Sequence, residues 1–285
     1  MTPDLLSVIV RALGFVALFQ AAGTAFFLAV FAPLTQASSL IRRLGRVSAA
    51  LGAGLILAHL ALDPARLSGD FAGWSDPDLQ GLAFSSRSGI SQLVQALGLV
   101  AVAVALWQPG RNRPQWASAG GAIAVGGFLL TGHTSTHALR AVLGALLALH
   151  LLLVAFWFGS LVPLAAVIRL ESRPRAAAVL GRFSAIAAAL VPLILVAGLA
   201  MAWLLAGSLA VLGTPYGQLL LVKLGGFLLL MLPAAYNKWR LAPAFERSRS
   251  SAALRGSLAA EYLLIVAVLS VTAVMTAFFS PGSMA

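Results

Sequence analysis

The sequence predicts an all-α membrane protein of eight transmembrane helices, arranged as two parallel four-helix repeats. Three observations carry that prediction. Apolar residues make up 60% of the 285 residues and charged residues only 9%, an excess that has to face something other than water. The apolar residues gather into long runs bounded by charge, Pro and Gly. Lys and Arg, which give the chain its net charge of +11, fall mainly in alternate loops. At roughly 20 residues per crossing, eight crossings occupy nearly the whole length and leave no room for a soluble enzyme domain. A charge of this size on a soluble chain would point to nucleic acid; in a chain this apolar it reads as topology, so no nucleic-acid partner is expected.

The runs lie at about 5–34, 47–62, 90–107, 116–132, 138–168, 183–206, 217–237 and 257–279. The first resembles a signal peptide only superficially. Nothing basic precedes Arg11, Asp4 sits where the positive region should be, and the run exceeds a signal core, so it reads as a retained helix. Loops after odd-numbered runs carry Arg42, Arg43 and Arg46; Arg111 and Arg113; Arg169, Arg173, Arg175 and Arg182; and Lys238, Arg240, Arg247, Arg249 and Arg255. The opposite loops hold only Arg66, Arg87 and Arg140, while Arg11 and Lys223 fall inside runs. The positive-inside rule therefore puts the basic loops in the cytoplasm and both termini outside. The outer stretch 63–87, with Asp63, Asp70, Asp76 and Asp78 and Trp74 at the interface, reads as a solvated loop.

The repeat reading rests on ordered matches. Leu44-Gly45-Arg46-Val47-Ser48-Ala49 parallels Leu180-Gly181-Arg182-Phe183-Ser184-Ala185, and Phe26-Phe27 with Pro33-Leu34 parallels Phe156-Trp157 with Pro163-Leu164. Leu93-Val94-Gln95 likewise parallels Leu221-Val222-Lys223. The offsets all lie near 130, which divides a single membrane domain into halves 1–134 and 135–285. Four crossings per half is even, so the halves enter the membrane from the same side and relate by an axis along its normal.

With no cysteine, any metal site is restricted to His, Met and carboxylate. His59 sits about one turn below the outer surface with Asp63 one turn beyond. His133 and His137 flank the outer turn into the fifth run, so three of the four histidines gather at one face. His150 lies about 12 residues into the fifth run, roughly 18 Å deep, near mid-bilayer, where an ionisable group usually faces an interior pathway. Met201 and Met275 fall at the outer ends of their helices, and a His/Met set suits copper better than zinc. Lys223 is expected to reach the outer loop, and Glu261 to lock onto Asn237 or Arg240. No Walker loop, dinucleotide-binding turn, nucleophile elbow or zincin motif appears, which argues against an enzyme.

The run from His150 through Trp157 and Gly159 to Pro163, then Arg182-Phe183-Ser184, Thr214-Pro-Tyr216-Gly217 with Lys223, Asn237-Lys-Trp-Arg240-Leu241-Ala-Pro243 and Glu261 resembles the copper resistance D (CopD) family. The likeness is firmest over about 130–279, and the Gly132-His133 pair shares it. The resemblance implies an eight-helix inner-membrane protein that takes copper from the periplasm, often beside or fused to a small periplasmic copper-binding partner of the CopC type. No alternating strand pattern lies outside the runs, so such a partner would be a separate chain.

The expected function is copper transport across the inner membrane, by import from the periplasm through an entry site of His59, His133 and His137 with Met201 or Met275, with His150 as a second, deeper station. Two alternatives stand beside it. His59 and His133, on separate helices at one depth, are placed to ligate haem b in a membrane oxidoreductase. The same residues also suit a handover protein that passes copper to another enzyme without moving it across the bilayer. Copper oxidation state and oligomeric state are left open by the residues.

Overall fold

The computed structural model describes residues 2–107, 110, 113–132, 135, 137–247 and 251–279. Its helices are α1 (Pro3–Phe31), α2 (Ser38–Ser68), α3 (Pro77–Ser85), α4 (Arg87–Trp107), α5 (Arg113–Gly126), α6 (Arg140–Leu170), α7 (Arg173–Ala206), α8 (Pro215–Tyr236), α9 (Ala242–Glu246) and α10 (Ala252–Phe278). Among the described residues seven helices are long and apolar enough to cross a membrane: α1, α2, α4, α6, α7, the continuous run Pro215–Glu246, and α10. The protein is thus an all-α, multi-pass membrane protein.

Local chemistry explains the helix ends. The Thr2 hydroxyl accepts from the Leu5 N–H and Pro3 opens α1; Thr214 and Pro215 do the same for α8, where the Gly217 N–H reaches the Thr214 hydroxyl at 3.2 Å. Such caps satisfy first-turn amides that lack intrahelical partners. At the other ends, α2 stops at Gly69 and α7 at Gly207, with φ of 76° and 66°, the left-handed backbone that favours glycine.

Two expectations change. The stretch 63–87 is helical rather than a loop: α2 runs on to Ser68, a 3-10 turn covers Phe71–Ser75 and α3 follows. Its acids have structural work there. Asp70 accepts from the Ala72 N–H, Asp76 caps α3 through the Asp78 and Leu79 N–H groups, and Asp63 pairs with Arg66 at 3.0 Å. The fourth predicted run, 116–132, is the 14-residue α5 followed by a 3-10 turn over Gly127–Leu130, so it does not add an eighth long helix. Gly120, Gly121, Gly126 and Gly127 weaken the helix, and Gly120, Gly121 and Gly127 allow close packing. A Cβ on Gly98 of α4 would lie 2.4 Å from the Ala124 nitrogen, and the Ser91 hydroxyl donates to the Gly127 carbonyl at 2.7 Å. Segment 113–130 therefore returns antiparallel along α4.

In the first half α1, α2, α4 and α5 close into a ring, each packed on the next. In the second, α6 packs on α7 and α10, and α10 on α8, but α7 and α8 share no comparable contact. The halves meet where α1 crosses α6. There Gly23 and Gly159 bring the backbones together: a Cβ on Gly23 would lie 1.9 Å from the Ala155 carbonyl oxygen. The Gln20 amide donates across this crossing to the Gly159 carbonyl at 3.0 Å and, within α1, to the Thr24 hydroxyl at 2.9 Å. Small residues with a polar cross-link are how helices associate in lipid, where no hydrophobic force drives them together.

Five of the six tryptophans, Trp74, Trp107, Trp116, Trp203 and Trp239, are more than half exposed and lie at or close to the ends of apolar segments, as interfacial residues do. Trp157 alone is buried.

The basic end is tied together by Glu171, at the α6–α7 junction. Its carboxylate accepts from the Thr35 hydroxyl at 2.6 Å and from the Gln36 and Ala37 N–H groups at 2.8 and 2.9 Å. It thus caps α2 from the other half of the chain, and Arg175 bridges it to Thr35. Burial pushes the Glu171 carboxyl upward, but these hydrogen bonds outweigh it and hold the group below its ordinary value.

Candidate functional site

At the end of the first ring that carries the N-terminus, α1, α2, α4 and the 3-10 turn after α5 line a partly open cavity of about 50 Å³. Arg11, His59, Ser88, Ser91, Gln92, Gln95 and Thr131 supply its polar lining. The ion pair between Arg66 and Asp4, 3.3 Å, joins the start of α1 to the end of α2 beside it.

His59 is the centre of this site. It is 7% exposed, and its Nδ1 lies 2.8 Å from Gln92 Oε1. The Gln92 amide nitrogen donates to Asp63 Oδ2 at 3.1 Å and to the Ser88 hydroxyl at 3.3 Å. A carboxylate only accepts, so the Gln92 NH2 must point to Asp63 and its oxygen to His59. Nδ1 therefore carries the proton, and Nε2 is left with a lone pair. That Nε2 is buried and has no hydrogen-bond partner among the described residues. Asp63, Gln92 and His59 form a chain that fixes ring orientation and tautomer, the arrangement that supports a metal-ligating imidazole from its far side.

Two members of this site escaped the sequence reading. Gln92 carried no motif. Arg11 stood out as a cation inside an apolar run, which is itself a signal of function. Its guanidinium lies 5.4 Å from the Phe15 ring centroid, and none of the ion pairs among the described residues includes it.

The other predicted ligands sit apart from His59. His133 lies outside the described residues. His137 precedes α6 and spends its Nδ1 accepting the Leu139 N–H at 3.0 Å. His150, in α6, faces the Ile194 carbonyl of α7 at 2.9 Å through Nδ1, so its Nε2 also keeps a lone pair. Gly198 leaves room for this ring; a Cβ there would lie 3.3 Å from it. Lys223 comes within electrostatic range of His150, while Thr214 is engaged in capping α8. Met201 and Met275 are buried at 9% and 8% exposure on α7 and α10. Among the described residues no group of three or more His, Asp or Glu side chains is arranged to hold a metal.

Glu261 of α10 accepts from the Asn237 amide, and the Trp157 indole also donates to it. Asn237 begins a π-helical turn, Asn237–Leu241, at the end of α8, a local unwinding frequent at functional positions. Of the two partners open to Glu261, Asn237 is the one it takes. Asn237→Leu is expected to lower stability by about 3 kcal/mol, because the buried acid loses a donor. An Asn237→Leu/Glu261→Leu double variant should recover most of that loss in the apparent thermal midpoint; an equal or greater loss would show the contact is not what holds α8 to α10.

Residues 1–138 match the N-terminal domain described as copper resistance protein D-like, and residues 177–275 match copper resistance protein D. The run from His150 to Pro163 lies between the two matched stretches. The chain is also 28% identical over 287 residues to the inner membrane protein YebZ of Escherichia coli (strain K12), an alignment covering 91% of this chain and 95% of that one. No solved structure matches. With matches to both halves on a multi-pass helical frame, the chain belongs to the copper resistance D family and is a copper-handling protein of the inner membrane.

Proposed function

We propose that the protein imports copper from the periplasm across the inner membrane, with His59 as the first ligand. The observation that carries this reading is the unpartnered, buried Nε2 of His59, held in its metal-binding tautomer by Gln92 and Asp63. His150 is the second, deeper station, also with Nδ1 engaged and Nε2 available. His133, His137, Met201 and Met275 complete the proposed ligand set as copper moves inward.

The topology that goes with this reading has eight crossings and both termini in the periplasm. Segment 113–130 serves as the eighth: an α-helix of 14 residues plus a four-residue 3-10 turn spans about 29 Å, close to the hydrocarbon thickness. It returns the chain so that α4 and α6 run the same way, which keeps the basic junctions at Arg42–Arg46 and Arg169–Arg182 on the cytoplasmic side. The halves 1–134 and 135–285 act as two parallel repeats around a shared path. A separate periplasmic CopC-like protein supplies the copper.

Radiolabelled copper uptake into sealed vesicles holding only this protein tests the reading. His59→Ala/His133→Ala should cut both uptake and bound copper by tenfold or more, since removing ligands from a metal site costs at least that much. Unchanged uptake and binding would refute the outer site. Binding without accumulation would instead favour the handover role.

A further inference from the structure

We infer that the outer cavity takes copper together with a small anionic ligand, the metal on His59 Nε2 and the anion on the Arg11 guanidinium. This rests on the proposed copper role of His59 and adds the chemical form of the cargo.

The cavity presents two unmet demands of opposite sign. His59 Nε2 offers a lone pair with nothing to donate to it. Arg11 offers a permanent cation that makes no ion pair among the described residues. A single neutral or cationic ligand meets one demand and leaves the other. A bare copper ion would bind the imidazole yet sit in a cavity whose one charged lining residue is a cation; no Asp or Glu lines it. The nearby acids are already engaged, Asp63 by Arg66 and Gln92 and Asp4 by Arg66. Like charges repel, and Asp63 is already paired with Arg66, so the compensating negative charge arrives with the metal. A metal ion carrying a carboxylate satisfies both groups at once: the electrophilic centre meets Nε2, and the free carboxylate oxygen accepts from the planar guanidinium, which is shaped for such pairing. Ser88 and Thr131 also line the cavity with hydroxyls.

The test is titration calorimetry on the full chain in nanodiscs of zwitterionic lipid, with three copper(II) probes: the nitrate, the 1:1 glycinate and the 1:1 ethylenediamine chelate. The last matches the glycinate in denticity but brings no negative charge. The glycinate should bind about tenfold or more tighter than the other two, the scale of a charge-assisted hydrogen bond, and paramagnetic resonance should show glycinate retained on the bound copper. Arg11→Gln should abolish the preference, Arg11→Lys should keep part of it, and His59→Ala should lose all three probes. Equal binding of the three by the wild-type protein, or loss of glycinate on binding, overturns this inference and leaves the copper site standing. That comparison needs no variant, so it holds even where Arg11→Gln fails to fold. Failure to bind copper in any form removes the copper site and this inference together.

Discussion

Gly23→Leu is expected to abolish accumulation of folded protein, and Gly23→Ala to lower stability by about 3 kcal/mol or more. A Cβ at Gly23 falls 1.9 Å from the Ala155 oxygen and 2.7 Å from the Gly159 Cα, and one at Gly159 falls 2.6 Å from the Gly23 Cα. Every one of these neighbours is backbone, so no rotamer change relieves the overlap and the helices have to separate. Separation also breaks the Gln20 bond to the Gly159 carbonyl. Because α1 and α6 carry much of the contact between halves, the loss is shared by the whole molecule. Gly54→Ala is the control: no atom outside its own helix lies within 4 Å of a Cβ there, so alanine should be neutral or stabilising by up to about 1 kcal/mol. Apparent thermal midpoints of the purified variants check both. Equal effects at Gly23 and Gly54 would show that close approach is not what Gly23 provides.

Glu171→Ala is expected to cost about 3 kcal/mol, because it strands the Gln36 and Ala37 N–H groups and the Thr35 hydroxyl at the start of α2. Glu171→Gln should cost less, since its one oxygen still accepts. The pH dependence follows from the lowered carboxyl value. The native state binds the Glu171 proton less readily than the unfolded chain does, so the contribution is fully present above the ordinary value of 4.5. It is lost as pH falls through the lower native value. Wild type should therefore lose more stability than Glu171→Ala on acidification below pH 4.5, and be indistinguishable in slope from it near neutrality. Parallel acid profiles would remove Glu171 from this role.

Much of the frame was legible in the residues. Seven of the eight predicted runs are long helices, and most ends fall within about five residues of the predicted ones, while α2 and α7 start 9 and 10 residues earlier, through basic stretches read as loops. The reason is that lipid forces every spanning segment to satisfy its backbone within itself and to be apolar, so period and length survive in the sequence. The fourth run is the exception, a 14-residue helix and a 3-10 turn, because Gly120 and Gly121 serve packing against α4 and α1 rather than helix propensity, and no propensity argument distinguishes those uses. The Asp residues at 70 and 76 looked like free charge because an N-cap is recognisable only once the helix behind it is known.

The candidate site was legible in its ligands and not in its geometry. His59 with Asp63 one turn on was visible as spacing. That Gln92 stands between them and sets the tautomer depends on α4 lying against α2, a contact between residues 33 apart in sequence. The placement of half-buried Arg11 on the same cavity as that imidazole depends on α1 closing the same ring. Glu171, by contrast, gave no signal at all, since a lone acid after an apolar run is ordinary until its partners at 35–37 arrive from the other half.

By itself the sequence determined that this chain lives in a membrane, which end faces the basic side, and that any metal site must be built from His, Met and carboxylate, because composition and charge placement act locally along the chain. The tertiary structure alone decided which lone pairs remain free, which acids are already engaged, and which glycines are contacts, because each of those depends on partners that only helix packing brings within hydrogen-bond reach.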